Sequence, residues 1–154
     1  MVSGLKLFDL NGKTALITGS SQGIGYALAK GLADAGSDII LNGRNTEKLK
    51  QSAEAINTKQ NIFQLCFDVT NYEQTKRSID KFEKDIKPID ILINNAGMQF
   101  RTPLEDFPPE MFEQLLKTNI SSVFNVSQVV AKYMIKRGEG KIINIASVQT
   151  ALAR

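Results

Sequence analysis

The chain has 154 residues, 42% of them hydrophobic and 23% charged, with a formal net charge of +3. That composition belongs to a globular domain able to bury roughly 70% of its unfolded surface, and not to a disordered chain. One cysteine and no histidine exclude an intrachain disulfide, a Ser-His-Asp triad and histidine-ligated metal sites. The basic residues are scattered, so no nucleic-acid partner is expected. Residues 1–10 lack a signal-peptide core and no apolar run is long enough to span a bilayer, so no membrane association and a cytoplasmic location are expected.

Short apolar runs alternate with helical periodicity along the whole chain. Thr14 to Thr18 reads as a first strand. Ile24, Ala27, Leu28, Gly31, Leu32 and Ala35 then fall three and four apart and predict one face of a helix, which Gly36 ends. Ile39 to Asn42 reads as a second strand, and Asn45 or Thr46 can cap a helix with Leu49, Ala53 and Ile56 inward. Ile62 to Phe67 is a third strand; Cys66 lies in this apolar run and is expected as buried filler. Thr70 or Asn71 can cap the next helix, with Ile79, Phe82 and Ile86 inward and Pro88 as its breaker. Ile89 to Asn94 is a fourth strand. Pro108-Pro109 opens one long helix from about Glu110 toward Arg137, closed by Gly138, and Lys141 to Ser147 is a fifth strand. Apolar strands alternating with helices predict an α/β fold, a doubly wound parallel sheet of Rossmann type. A single nucleotide-binding domain over 1–154 is expected.

Thr18-Gly19-Ser20-Ser21-Gln22-Gly23-Ile24-Gly25 stands between the first strand and the first helix. Gly19 permits a sharp turn, Gly23 lets backbone approach a pyrophosphate, and Gly25 lets the helix lie close to the sheet. The helix N-terminus offers N–H groups and a positive dipole end to phosphate. A tight turn that binds nothing is the alternative, and the strand before and helix after favour the cofactor loop. The end of the second strand, Leu41-Asn42-Gly43-Arg44-Asn45, carries no carboxylate for a ribose 2′-hydroxyl. Arg44 presents a planar fork suited to a 2′-phosphate, which predicts NADP(H) over NAD(H).

The order of these motifs resembles the short-chain dehydrogenase/reductase family. The glycine loop, Asp68-Val69 after the third strand, Asn94-Asn95-Ala96-Gly97 after the fourth, Asn119 in the long helix and Ser147 after the fifth carry the resemblance. It implies cofactor contacts at Gly19, Ser20, Ser21, Gln22, Gly23, Ile24, Gly25, Arg44, Asp68, Val69, Asn95, Ala96 and Gly97. It also implies catalytic roles for Ser147, which would hydrogen-bond the reacting oxygen, and for Asn119, which would hold a water in a proton relay. An asparagine inside an apolar helix is a poor helix former and is expected to meet a buried partner.

The family's Tyr-x-x-x-Lys pair should follow Ser147, and the chain ends first. The domain is therefore expected to be incomplete at its C-terminus. The 154 residues alone are expected to turn over little or no substrate, with the fifth strand as an exposed edge and the chain marginal in stability. Leu7 to Lys13, Asn94 to Arg101 and Ile143 to Arg154 are similar to the gluconate 5-dehydrogenases, a group within that family. This implies hydride transfer between the cofactor and a sugar acid, D-gluconate or 5-keto-D-gluconate, in a homodimer or homotetramer. Arg101 and Ser147 would bind the substrate, Arg101 through its carboxylate; a solvated loop arginine is the other reading. Two alternatives remain: a reductase of 3-oxoacyl carrier-protein type, and a non-catalytic nucleotide-binding fragment.

Overall fold

The computed structural model describes residues 4–147. Five parallel strands stand in the order β3-β2-β1-β4-β5: β1 (Thr14–Ile17), β2 (Asp38–Gly43), β3 (Ile62–Cys66), β4 (Ile91–Asn94) and β5 (Lys141–Asn144). Five α-helices connect them: α1 (Gly23–Asp34), α2 (Thr46–Ala55), α3 (Tyr72–Asp85), α4 (Pro109–Leu116) and α5 (Ser122–Arg137). The expected doubly wound α/β sheet is present. No described helix is long and apolar enough to cross a membrane.

The alternation of strand side chains makes two cores, one on each face of the sheet. Leu16, Ile40 and Leu92 meet Ile79 and Phe82 of α3 and Val126, Val129 and Val130 of α5. Ala15, Ile17, Ile39, Leu41 and Ile93 meet Ala29 and Ala33 of α1 and Leu49 of α2. Strands buried on both sides must be apolar throughout, as Ala15-Leu16-Ile17 and Ile39-Ile40-Leu41 are. Asn45 and Asn71 cap α2 and α3 by accepting from the N–H groups of Lys48 and Gln74.

Several local expectations are corrected. Of the expected face of α1, Leu28 and Leu32 do pack against the core on that side of the sheet. The buried residues, however, are Gly25, Ala29 and Ala33, while Ile24 is 68% exposed and Ala27 and Gly31 are also exposed. Two adjacent stripes of α1 are apolar, so periodicity cannot choose between them. The small stripe is chosen because it lets the helix axis approach the sheet. Ile86 is exposed because α3 ends at Asp85, before that residue can turn inward. Cys66 is exposed, its Sγ accepting from Thr46 Oγ1 at 3.3 Å. Its strand is the sheet edge, where outward side chains meet solvent.

The long helix is interrupted. Lys117–Ser121 forms a π-helical turn between α4 and α5, a wider turn that shifts the register of the helix face. At the far edge β5 is exposed along its length, with Ile142 and Ile143 partly uncovered. This is the open edge the sequence led us to expect.

Candidate cofactor and active site

In the strand order β3-β2-β1-β4-β5, connections run outward in opposite directions from β1 and β4. That reversal opens a crevice beyond the carboxyl ends of the strands, the place where ligands bind in open α/β sheets. A cleft of about 830 Å³ lies there, and Gly19, Gly23, Arg44, Asp68, Asn95 and Gly97 are among the residues on its wall.

The cleft floor is built by contacts between two turns distant in sequence. Thr18 is buried, and its Oγ1 accepts the N–H groups of Asn95 and Ala96, both at 3.0 Å. Asn95 Nδ2 donates back to the carbonyls of Thr18 at 2.9 Å and Gly19 at 3.2 Å. Gly19 has φ +62, and a Cβ built on it would lie 2.9 Å from Ala96 Cα. Only glycine meets both the left-handed backbone and the close approach.

The crevice also has the polarity a dinucleotide requires. Unlike α2 and α3, helix α1 has no side-chain cap, since Gln22 makes no cap hydrogen bond. Its N-terminus at Gly23 lies on the cleft wall, and a Cβ built on Gly23 would meet nothing within 4 Å. A diphosphate fits such a cradle, because backbone donors and the helix dipole both favour an anion there. Arg44, at the end of β2, is highly exposed and lies 3.9 Å from Asp68 Oδ2. A pair so exposed is weak, which leaves the guanidinium available to a stronger anion.

The family model for short chain dehydrogenases matches residues 13–153. The chain belongs to the short-chain dehydrogenase family. It is 50% identical over 151 residues to gluconate 5-dehydrogenase of Gluconobacter oxydans, an alignment covering 96% of this chain and 58% of that protein. It is 42% identical over 150 residues to the 5-keto-D-gluconate 5-reductase of Escherichia coli, covering 96% and 59%. Its fold superposes on the crystal structure of a gluconate 5-dehydrogenase from Burkholderia cenocepacia in complex with NADP and tartrate. The TM-score there is 0.90 at 47% identity, covering 99% of this chain and 60% of the other. This short-chain dehydrogenase chain thus spans about three fifths of the length of the relatives it matches.

Of the residues singled out in the sequence, Gly19, Ser21, Gln22, Gly23, Arg44, Asp68, Val69, Asn95, Ala96 and Gly97 converge on the cleft. The others stand elsewhere. Ser20 is fully buried, its Oγ donating to the Ile17 carbonyl at 2.8 Å. Gly25 is buried against Asn95, and Ile24 is exposed at the loop's outer side. Asn119 lies in the π turn and clasps one backbone unit. Its Oδ1 accepts from Met98 N–H at 2.9 Å and its Nδ2 donates to Met98 O at 3.0 Å. The expected partner is thus a backbone unit, half-buried and not buried as the sequence suggested. Ser147 is exposed, three residues past the end of β5.

Arg101 is exposed and is not on the cleft wall. Its segment is braced by an aromatic chain, Phe100 to Phe107 at 5.4 Å and Phe107 to Phe112 at 6.5 Å, both edge to face. Val148 to Arg154, which carried part of the closer resemblance, lie outside the described residues.

Tyr-x-x-x-Lys spacing does occur twice, at Tyr26/Lys30 in α1 and Tyr72/Lys76 in α3. None of these four residues lines the cleft. Tyr72 donates to Gln128 Oε1 at 3.1 Å, and Lys76 pairs with Asp80 at 2.9 Å. Tyr133 donates to Asp80 Oδ1 at 2.8 Å across α3 and α5. Burial first, and then that carboxylate, push its phenol up to about 12, away from any working pH for proton transfer. Sequence reasoning missed Asn42 and Thr18 as builders of the cleft. For Asn42 the available signal was a polar residue closing the apolar run Ile39-Ile40-Leu41.

Proposed function

We propose that the chain supplies the cofactor-binding part of an NADP(H)-dependent oxidoreductase that acts on a sugar acid of the gluconate type. The observation that carries the reading is the meeting, in one cleft, of the uncapped glycine loop with Arg44 at the end of a strand that bears no carboxylate. The N-terminal N–H groups of α1 bind the diphosphate, and Arg44 takes the 2′-phosphate. Asp68 and Val69 would hold the adenine side of the cofactor, and Asn95, Ala96 and Gly97 its nicotinamide side. A nicotinamide cofactor held there would supply hydride transfer to or from the substrate carbon.

On the substrate side, Ser147 donates a hydrogen bond to the reacting oxygen as charge develops on it. Asn119 holds Met98 and so the turn after β4. Its amide keeps a second N–H and a second lone pair, which suits a water in the proton relay. Arg101, exposed just beyond Phe100, offers a cation to the substrate carboxylate. The relatives named for gluconate and 5-ketogluconate and the tartrate in one relative's crystals support a hydroxylated carboxylic acid as substrate. The Tyr and Lys that the family resemblance puts after Ser147 are not among the 154 residues. The active assembly is a homodimer or homotetramer.

The test is a pair of titrations. NADPH and NADH are added to the protein and to Arg44→Asp. The variant is expected to lose NADPH binding far more than NADH binding, and equal losses would refute the choice of cofactor. Gluconate and acetoacetyl-thioester turnover by the full-length protein that contains these residues separates the sugar-acid reading from the carrier-protein reductase.

A further inference from the structure

Asn42 is 1% exposed, at the end of a strand whose neighbours are Ile39, Ile40 and Leu41. Its side-chain Oδ1 accepts the Gly19 N–H at 3.3 Å. Its Nδ2 donates to two carbonyls, Leu65 at 3.0 Å and Phe67 at 3.2 Å. The backbone of the same residue closes the seam. Its N–H donates to Ser20 Oγ at 3.0 Å, and its carbonyl accepts the Ser20 N–H at 2.9 Å. The acceptor end of one amide thus rests on the glycine loop, and its donor end rests on the exit of β3, directly before Asp68 and Val69.

The chemistry of the position admits little else. Two carbonyls on one side demand two donors, and an N–H on the other demands an acceptor, which is what a primary amide provides. Aspartate would press a carboxylate against two carbonyl oxygens. Leucine has the shape and leaves all three partners buried without a bond, which is costly. Glutamine is one methylene too long for a strand buried on both faces.

We infer that Asn42 is a positioning residue of the cofactor cleft. It ties the Gly19 peptide to the wall carrying Asp68 and Val69, so that the diphosphate loop and the adenosine side are in register before any nucleotide binds. The inference rests on the nicotinamide-cofactor reading above. Pre-organising a site raises affinity by removing an ordering cost. Asn42 is directed at Gly19 and β3 and not at the Arg44 fork, so it acts equally on NADPH and NADH.

The experiment titrates NADPH and NADH, well below each melting temperature, into the wild type, Asn42→Asp, Asn42→Leu and Arg44→Asp. Both Asn42 variants are expected to bind each nucleotide about ten-fold more weakly with an unchanged NADPH/NADH ratio, whereas Arg44→Asp changes the ratio. A folded Asn42 variant with a lower melting temperature and wild-type affinities would overturn the inference, and so would a shift in the ratio. A wild type that binds neither nucleotide removes the cofactor reading and the inference together; failure at Asn42 alone leaves the cofactor reading standing. Should neither variant fold, hydrogen exchange at the Gly19 amide of the cofactor-free wild type decides. Protection like that of the sheet amides supports the tie, and exchange as fast as an exposed loop overturns it.

Discussion

A Cβ built on Gly25 would lie 2.5 Å from Asn95 Nδ2 and 2.5 Å from the Gly19 carbonyl oxygen. The first turn of α1 therefore sits directly on the turn that follows β4. Asn95 cannot retreat without giving up its bonds to Thr18 and Gly19, and the Gly19 carbonyl is backbone. Gly25→Ala is accordingly expected to cost about 2 kcal/mol through overpacking. That is a fall of roughly 4–8 °C in melting temperature for a chain of this size, with weaker cofactor binding. A melting curve that coincides with the wild type's would show that the contact yields freely.

Arg44 has a side chain 78% exposed, so its attraction for a 2′-phosphate is open to screening. Raising ionic strength from about 0.1 M to about 1 M shortens the screening length from about 10 Å to about 3 Å. NADPH affinity is expected to fall over this range by clearly more than NADH affinity. Arg44→Ala should lose about ten-fold in NADPH affinity or more, as for a charge-assisted bond, and abolish the difference in salt dependence. Parallel salt slopes for the two nucleotides in the wild type would remove Arg44 as the discriminating group.

Asn119 holds both polar backbone atoms of Met98. Asn119→Ala leaves that N–H and carbonyl without their side-chain partner, at a cost of about 1–3 kcal/mol. The segment after Gly97 should then exchange its amides faster while the β1 and β2 amides keep their protection. Hydrogen exchange followed by mass spectrometry checks this. Unchanged exchange between Gly97 and Phe107 would mean that the clasp does not hold the turn.

Stability should fall at both ends of the pH scale, for identifiable reasons. The Tyr133 phenol is raised from 10.0 to about 12. It therefore stabilises the fold fully below pH 10 and loses that contribution as pH rises from about 10 to about 12. Tyr133→Phe should flatten the fall in melting temperature across that window. At the acid end, burial opposes the charge on Asp38, yet hydrogen bonds from Lys87 and Asn61 hold its carboxyl below its ordinary value of 3.8. Its stabilisation is present above that value and is lost as pH drops beneath it. Lys87→Ala should move acid unfolding to higher pH, and an unmoved acid midpoint would contradict the role given to Lys87.

Much of this protein can be read from its sequence alone. The order of strands and helices, the parallel α/β architecture and the glycine loop follow from periodicity and turn chemistry, as does each cap of α2 and α3 to within two adjacent residues. Those signals are local, written within about ten residues of the structure they produce. Tertiary structure alone decided which apolar stripe of α1 faces the sheet and that Cys66 is exposed. It also decided that a π turn interrupts the long helix and that Arg101 stands off the cleft wall.

Each of these depends on which strand is the edge and on how closely two backbones approach. The bonds that make the cleft join residues 75 or more positions apart, as from Thr18 to Asn95 and Ala96, or 23 and 25 apart at Asn42. A contact over such separations comes into being only when the sheet is assembled. A lone polar residue such as Asn42 therefore reads in the sequence as the end of a strand, and in the fold as the amide that joins three segments.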